Sequence, residues 1–136
     1  DKKQALDIAV KALSIAQKPE ICNHYFALLF NKLICRIYLS LKDYDSARIY
    51  IDRALTIARR YDIKYQLAKL YLMSGECQQK LIDAALDKQE CINAAKELYQ
   101  RASDINEGLN INSLTKAISQ KMSELDILSK AHGVKI

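Results

Sequence analysis

In the stretch KDYDSARIYIDRALTIARR (42–60), small alanines stand at Ala47, Ala54 and Ala58 among long and charged side chains. Steps of seven and four residues return them to one face of a helix, and small residues on one face let a neighbouring helix approach closely. Near the end of the chain, Leu114, Ile118, Met122, Leu125 and Leu128 fall on one side at three- and four-residue steps. No run of alternating apolar and polar residues persists anywhere. The pattern predicts an all-α protein. Composition agrees, since the 136 residues include only 3 Gly and 1 Pro, too few for the many turns of a sheet protein.

The pattern repeats. ALDIAVKALSIA (5–16) aligns with ARIYIDRALTIA (47–58), bringing Ala5, Ala12, Leu13, Ile15 and Ala16 onto Ala47, Ala54, Leu55, Ile57 and Ala58. A looser copy, AKELYQRASDIN (95–106), places Ala95, Tyr99 and Ala102 in the same frame. A second kind of segment also recurs. In NKLICRIYLSL (31–41) and KYQLAKLYLMS (64–74), residues 34–40 fall on residues 67–73, so that Arg36 meets Lys69 and Tyr38 meets Tyr71. Two kinds of helix therefore alternate, and each hairpin needs a neighbour to bury its apolar stripe.

These residues resemble the tetratricopeptide repeat. Asn31, Ile34, Cys35, Tyr38, Ala47, Ile51 and Ala54 occupy one unit's landmark positions, and Lys64, Leu67, Ala68 and Tyr71 occupy the first helix of the next. Trp and Gly are missing from the marked positions, Arg59 stands where a closing Pro is usual, and the periods exceed the usual 34 or so. The resemblance implies a superhelix (solenoid) of antiparallel helix hairpins, a single domain over 1–136. Within it, 1–18 is the second helix of a truncated repeat, 22–61 a repeat, 63–107 a long degenerate repeat and 110–132 a capping helix. Gly108 is the expected stop before the cap and Asn112 or Ser113 its N-cap. Residues 75–91 extend the first helix, extend the second, or carry a break near Asp87. Because Asp1 is not a methionine and the chain is helical from its start, we read it as a piece of a longer polypeptide.

Charge sharpens this picture. Between Lys32 and Lys69 there are nine basic and four acidic residues, so the whole +5 excess lies in the middle third. The four cysteines (Cys22, Cys35, Cys77, Cys91) show no CxxC pair and read as reduced, mostly buried thiols. His24 and His132 add too little for a zinc site, so no metal or cofactor is expected. No apolar run approaches the roughly 18 residues of a membrane span. The expected setting is intracellular, cytoplasmic or nuclear, with no membrane partner. Tyr25, Phe26 and Phe30 read as core.

Catalytic patterns are missing. The glycine of MSGECQQK has no phosphate-loop companions, and no Ser, Cys or Thr has a His and an acid at suggestive spacing. The chain is not read as an enzyme. By resemblance, first helices line a concave groove, where Lys32, Arg36, Tyr65 and Lys69 would hold a partner peptide or helix of acidic character through charge-assisted hydrogen bonds. The same four residues also suit a simply solvated surface. Direct nucleic-acid contact is not expected, for want of net charge and of aromatics available for stacking. The reading is a non-catalytic interaction module of a regulatory or scaffold protein. The alternatives are a peptide-sensing module of a bacterial transcriptional regulator and a structural subunit of a large eukaryotic assembly.

Overall fold

The computed structural model describes residues 1–18 and 23–135. Cys22 therefore lies outside the described residues. The described chain is all-helical: α1 (Lys2–Ala16), α2 (His24–Ser40), α3 (Tyr44–Arg60), α4 (Lys64–Lys80), α5 (Lys88–Leu109) and α6 (Asn112–Ala131), with a 3-10 turn at Ile82–Ala84. Among the described residues, no helix is long and apolar enough to cross a membrane.

Helix starts follow local chemistry. Side chains of Asp1, Asn23, Asp43 and Asp87 each accept a hydrogen bond from a backbone N–H of the first turn, satisfying donors that would otherwise have no partner. Asp87 decides the ambiguous stretch 75–91. The first helix runs on to Lys80, the 3-10 turn intervenes, and a new helix begins at Lys88. The α2–α3 turn is short and lacks glycine: Lys42 takes a left-handed conformation (φ 61°), and Asp43 N–H reaches back to the Tyr38 carbonyl at 3.0 Å. Asn110 (φ 53°) plays this part after α5, so the expected stop at Gly108 moves two residues on. Ile111 precedes α6 without a side-chain cap, in place of the expected Asn112 or Ser113.

The chain divides into two compact units, Asp1–Asp62 and Ile63–Ile136. In the first unit α1 packs on α2 and α2 on α3. Ala9, Leu13, Ala27 and Ile34 form the core cluster, flanked by Leu6, Phe30, Ile37, Tyr38, Tyr50 and Ile57. Ala47, Ala54 and Ala58 are fully buried on α3, as small residues at a close helix contact should be. Tyr25 and Phe26, expected in the core, are instead about half exposed (46% and 51%). They lie in the first turn of α2, ahead of the buried stripe that begins at Ala27.

In the second unit α4 packs on α5, α5 on α6, and α4 also touches α6. Ile82, Ile92, Ala95, Tyr99 and Leu125 are its core cluster, with Met122 and Leu128 of α6 against it. The third copy of the alanine frame is buried like the second: Ala95, Tyr99, Ala102 and Asn106 on α5 match Ala47, Ile51, Ala54 and Ala58 on α3. One close approach fixes this unit. A Cβ built on Gly75 would meet the Tyr99 ring at 2.8 Å from Cδ1 and 2.9 Å from Cζ, so α4 accepts that ring only because residue 75 has no side chain.

Candidate functional site

The four residues singled out by the sequence divide between the units, Lys32 and Arg36 on α2 and Tyr65 and Lys69 on α4. Arg36 is exposed. Lys32 departs from the expectation of a shared open stripe, because it is only 7% exposed. It follows Leu28 by four residues and precedes Cys35 by three, and both neighbours are fully buried. Helical spacing therefore turns Lys32 toward the packed face, where its aliphatic stem takes part in packing.

On α4 the pair is brought together. Lys69 Nζ stands 5.1 Å from the centre of the Tyr65 ring, one turn apart on the same helix. Tyr65 itself is 40% exposed. The arrangement contributes about 0.5–1 kcal/mol at an exposed site and orients an ammonium that would otherwise swing freely. An ammonium held this way keeps donors for an incoming carboxylate.

Sequence reasoning passed over two other constellations, both in the first unit. Tyr50 of α3 stacks on Tyr38 of α2 with ring centres 5.6 Å apart, and Arg53 lies over the Tyr50 ring at 4.9 Å. Partial burial, with Tyr50 and Asp43 adding to it, raises the Tyr38 hydroxyl above its ordinary pKa. Near the other end of the hairpin, Tyr61 stacks on His24 at 4.6 Å and Arg60 lies over Tyr61 at 5.7 Å. The i,i+3 spacing of Tyr50 and Arg53 was the available signal. The partner rings on α2 belong to the hairpin, not to any local pattern.

Several charged groups of the second unit pair with one another. Lys121 bridges Glu76 (3.5 Å) and Glu124 (3.3 Å), and His132 Nε2 stands 3.3 Å from Asp83. Arg101 lies over Tyr71 at 5.8 Å and bonds Glu97 at 2.9 Å, and hydrogen bonds to these two groups raise its pKa further. A cleft of about 250 Å³ between α5 and α6 is lined by Ser103, Glu107, Asn110, Thr115 and Ser119, with Ile118 and the buried Asn106. Asn106 is fully engaged there. Its amide nitrogen donates to the Ile111 carbonyl (3.2 Å) and to Thr115 Oγ1 (2.9 Å), while its oxygen accepts from Ile111 N–H (3.0 Å). This is a latch for the α5–α6 turn.

Cys35 and Cys77 are buried thiols and Cys91 is partly buried. Among the described residues no three His, Cys, Asp or Glu side chains gather in a way that could hold a metal ion. In comparisons with family models, with curated proteins and with solved structures, the chain matches none of them.

Proposed function

We propose that this chain is a non-catalytic protein-interaction module of tetratricopeptide type, which receives an acidic peptide segment or helix from its partner on the first helices of its hairpins. The observation that carries the reading is the recurrence of a basic residue at one register, Arg36 in α2 and Lys69 in α4, with Lys69 oriented over Tyr65. Charge-assisted bonds from such positions to carboxylates suit groove recognition of extended or helical peptides. The superhelical arrangement of hairpins belongs to the same proposal, supported by the repeated burial frame of α3 and α5. Buried thiols at Cys35 and Cys77 suit a reducing, intracellular compartment.

The test is a fluorescence-polarisation screen of labelled Asp- and Glu-rich peptides against the wild type and the Arg36→Glu, Lys69→Glu and double variants. Binding by the wild type that is lost in both single variants, with the far-UV circular dichroism unchanged, supports the proposal. Peptides that bind all four proteins alike would remove these helices as the receiving surface.

A further inference from the structure

The outer face of α3 carries a second arrangement, which the proposed function does not use. Ile49, Arg53, Thr56 and Arg60 follow one another at steps of four, three and four, so they form one stripe along the helix. All four are exposed, Ile49 to 53%. Arg53 and Arg60 stand two turns apart, about 10.5 Å along the axis. Arg60 also suits the negative end of the helix, and that accounts for its charge but not for its orientation.

Orientation is the unusual part. Each guanidinium lies on a tyrosine, and each tyrosine is in turn stacked on an α2 ring, Tyr38 beneath Tyr50 and His24 beneath Tyr61. A guanidinium resting on a ring that is itself anchored has lost much of its rotamer freedom. Its N–H donors lie in its plane and remain available at the edge for two-pronged binding of a carboxylate. Among the described residues, neither Arg53 nor Arg60 forms an ion pair, whereas Arg101, Lys121 and Lys130 of the second unit each do.

We propose that this stripe docks an acidic amphipathic helix of a partner protein, with two carboxylates seven residues apart meeting Arg53 and Arg60 and an apolar side chain meeting Ile49. A nucleic acid is the weaker fit for two reasons. Tyr50 and Tyr61 each already hold an arginine and an α2 ring, contacts with which a stacking base would have to compete. Exposed Asp45 and Asp52 on the same helix interrupt the positive field that a phosphate backbone needs. A protein helix can place its own charges around those acids.

The probe is a synthetic alanine-rich helical peptide bearing glutamates at i and i+7 and a leucine one turn beyond each, titrated at low and at moderate salt. Binding should weaken with salt, and R53E/R60E should reduce affinity at least about 100-fold. The lysine pair R53K/R60K, which keeps charge but loses the planar fork, should cost about tenfold. A peptide with lysines in place of the two glutamates should bind R53E/R60E, which shows that the variant is folded and that the charges meet. Arg36→Glu with Lys69→Glu should leave this titration unchanged, which separates it from the groove proposal. Equal binding of a glutamine version, equal binding of a version with glutamates five residues apart, or undiminished binding by R53E/R60E would each overturn the proposal. A short DNA duplex that binds more tightly than the peptide and is lost in R53E/R60E would overturn it in favour of a polyanion.

Discussion

Replacing Gly75 with alanine adds a single methyl group to the middle of α4, a position where alanine normally helps. In an ordinary helix interior the exchange stabilises by about 1 kcal/mol, because glycine has more freedom to lose on folding. Here the new Cβ would come within 3.0 Å of several atoms of the Tyr99 ring. That ring is fully buried, lies in the core cluster with Ile82, Ile92, Ala95 and Leu125, and donates its hydroxyl to Gln79 Oε1. It has no room to retreat, so the contact must be relieved by moving α4 away from α5. Overpacking of this kind costs about 1–3 kcal/mol. Subtracting the propensity gain leaves a net loss of roughly 1 kcal/mol. Urea unfolding followed at 222 nm would read it as a lower midpoint for the transition of residues 63–136. A double-mutant cycle isolates the cause. In a Tyr99→Leu background the ring is absent, and Gly75→Ala should become neutral or stabilising. If Gly75→Ala stabilises the wild-type chain, or costs the same in both backgrounds, the reasoning about this contact is wrong.

Three further expectations come from buried polar groups. Burial, with Glu76 and Glu124 contributing, holds the Tyr99 hydroxyl far above its ordinary pKa near 10. The unfolded chain therefore loses this proton first, and the stability tied to it is complete below about pH 10 and falls above it by up to about 1.4 kcal/mol per pH unit. Tyr99→Phe should show a shallower loss of stability between about pH 9 and pH 11 than the wild type, and parallel curves would refute the assignment. Asn106→Ala removes the latch on the α5–α6 turn and should cost about 2 kcal/mol, with faster hydrogen exchange at the Ile111 amide; unchanged exchange there would count against it. Asn31 is fully buried, and its Oδ1 has no hydrogen-bond partner among the described residues, although its amide nitrogen donates to the Ala27 carbonyl at 2.8 Å. Asn31→Leu should therefore raise stability by about 1 kcal/mol in thermal unfolding, and a clear loss would mean that the carbonyl has an unseen partner.

The sequence by itself determined the helical class and the buried alanine frame. Ala47, Ala54 and Ala58 could be read as a packing face because helical spacing acts locally, whereas the caps at Asp43 and Asp87 became visible only once the turns before them were in place. What it could not show was which polar residues the folded surface would expose. Lys32 reads as a surface cation until the neighbours on its helix face, Leu28 and Cys35, prove to be buried. Tyr25 and Phe26 read as core until the packed stripe proves to begin after them. The arginine–tyrosine stacks needed rings from α2 under rings from α3 and its C-terminal cap, and the fit of Gly75 to Tyr99 joins residues on different helices. Periodicity is written in each helix because every turn repeats the same local geometry. Contacts between helices depend on which faces meet and how closely, and that is decided only when the hairpins pack.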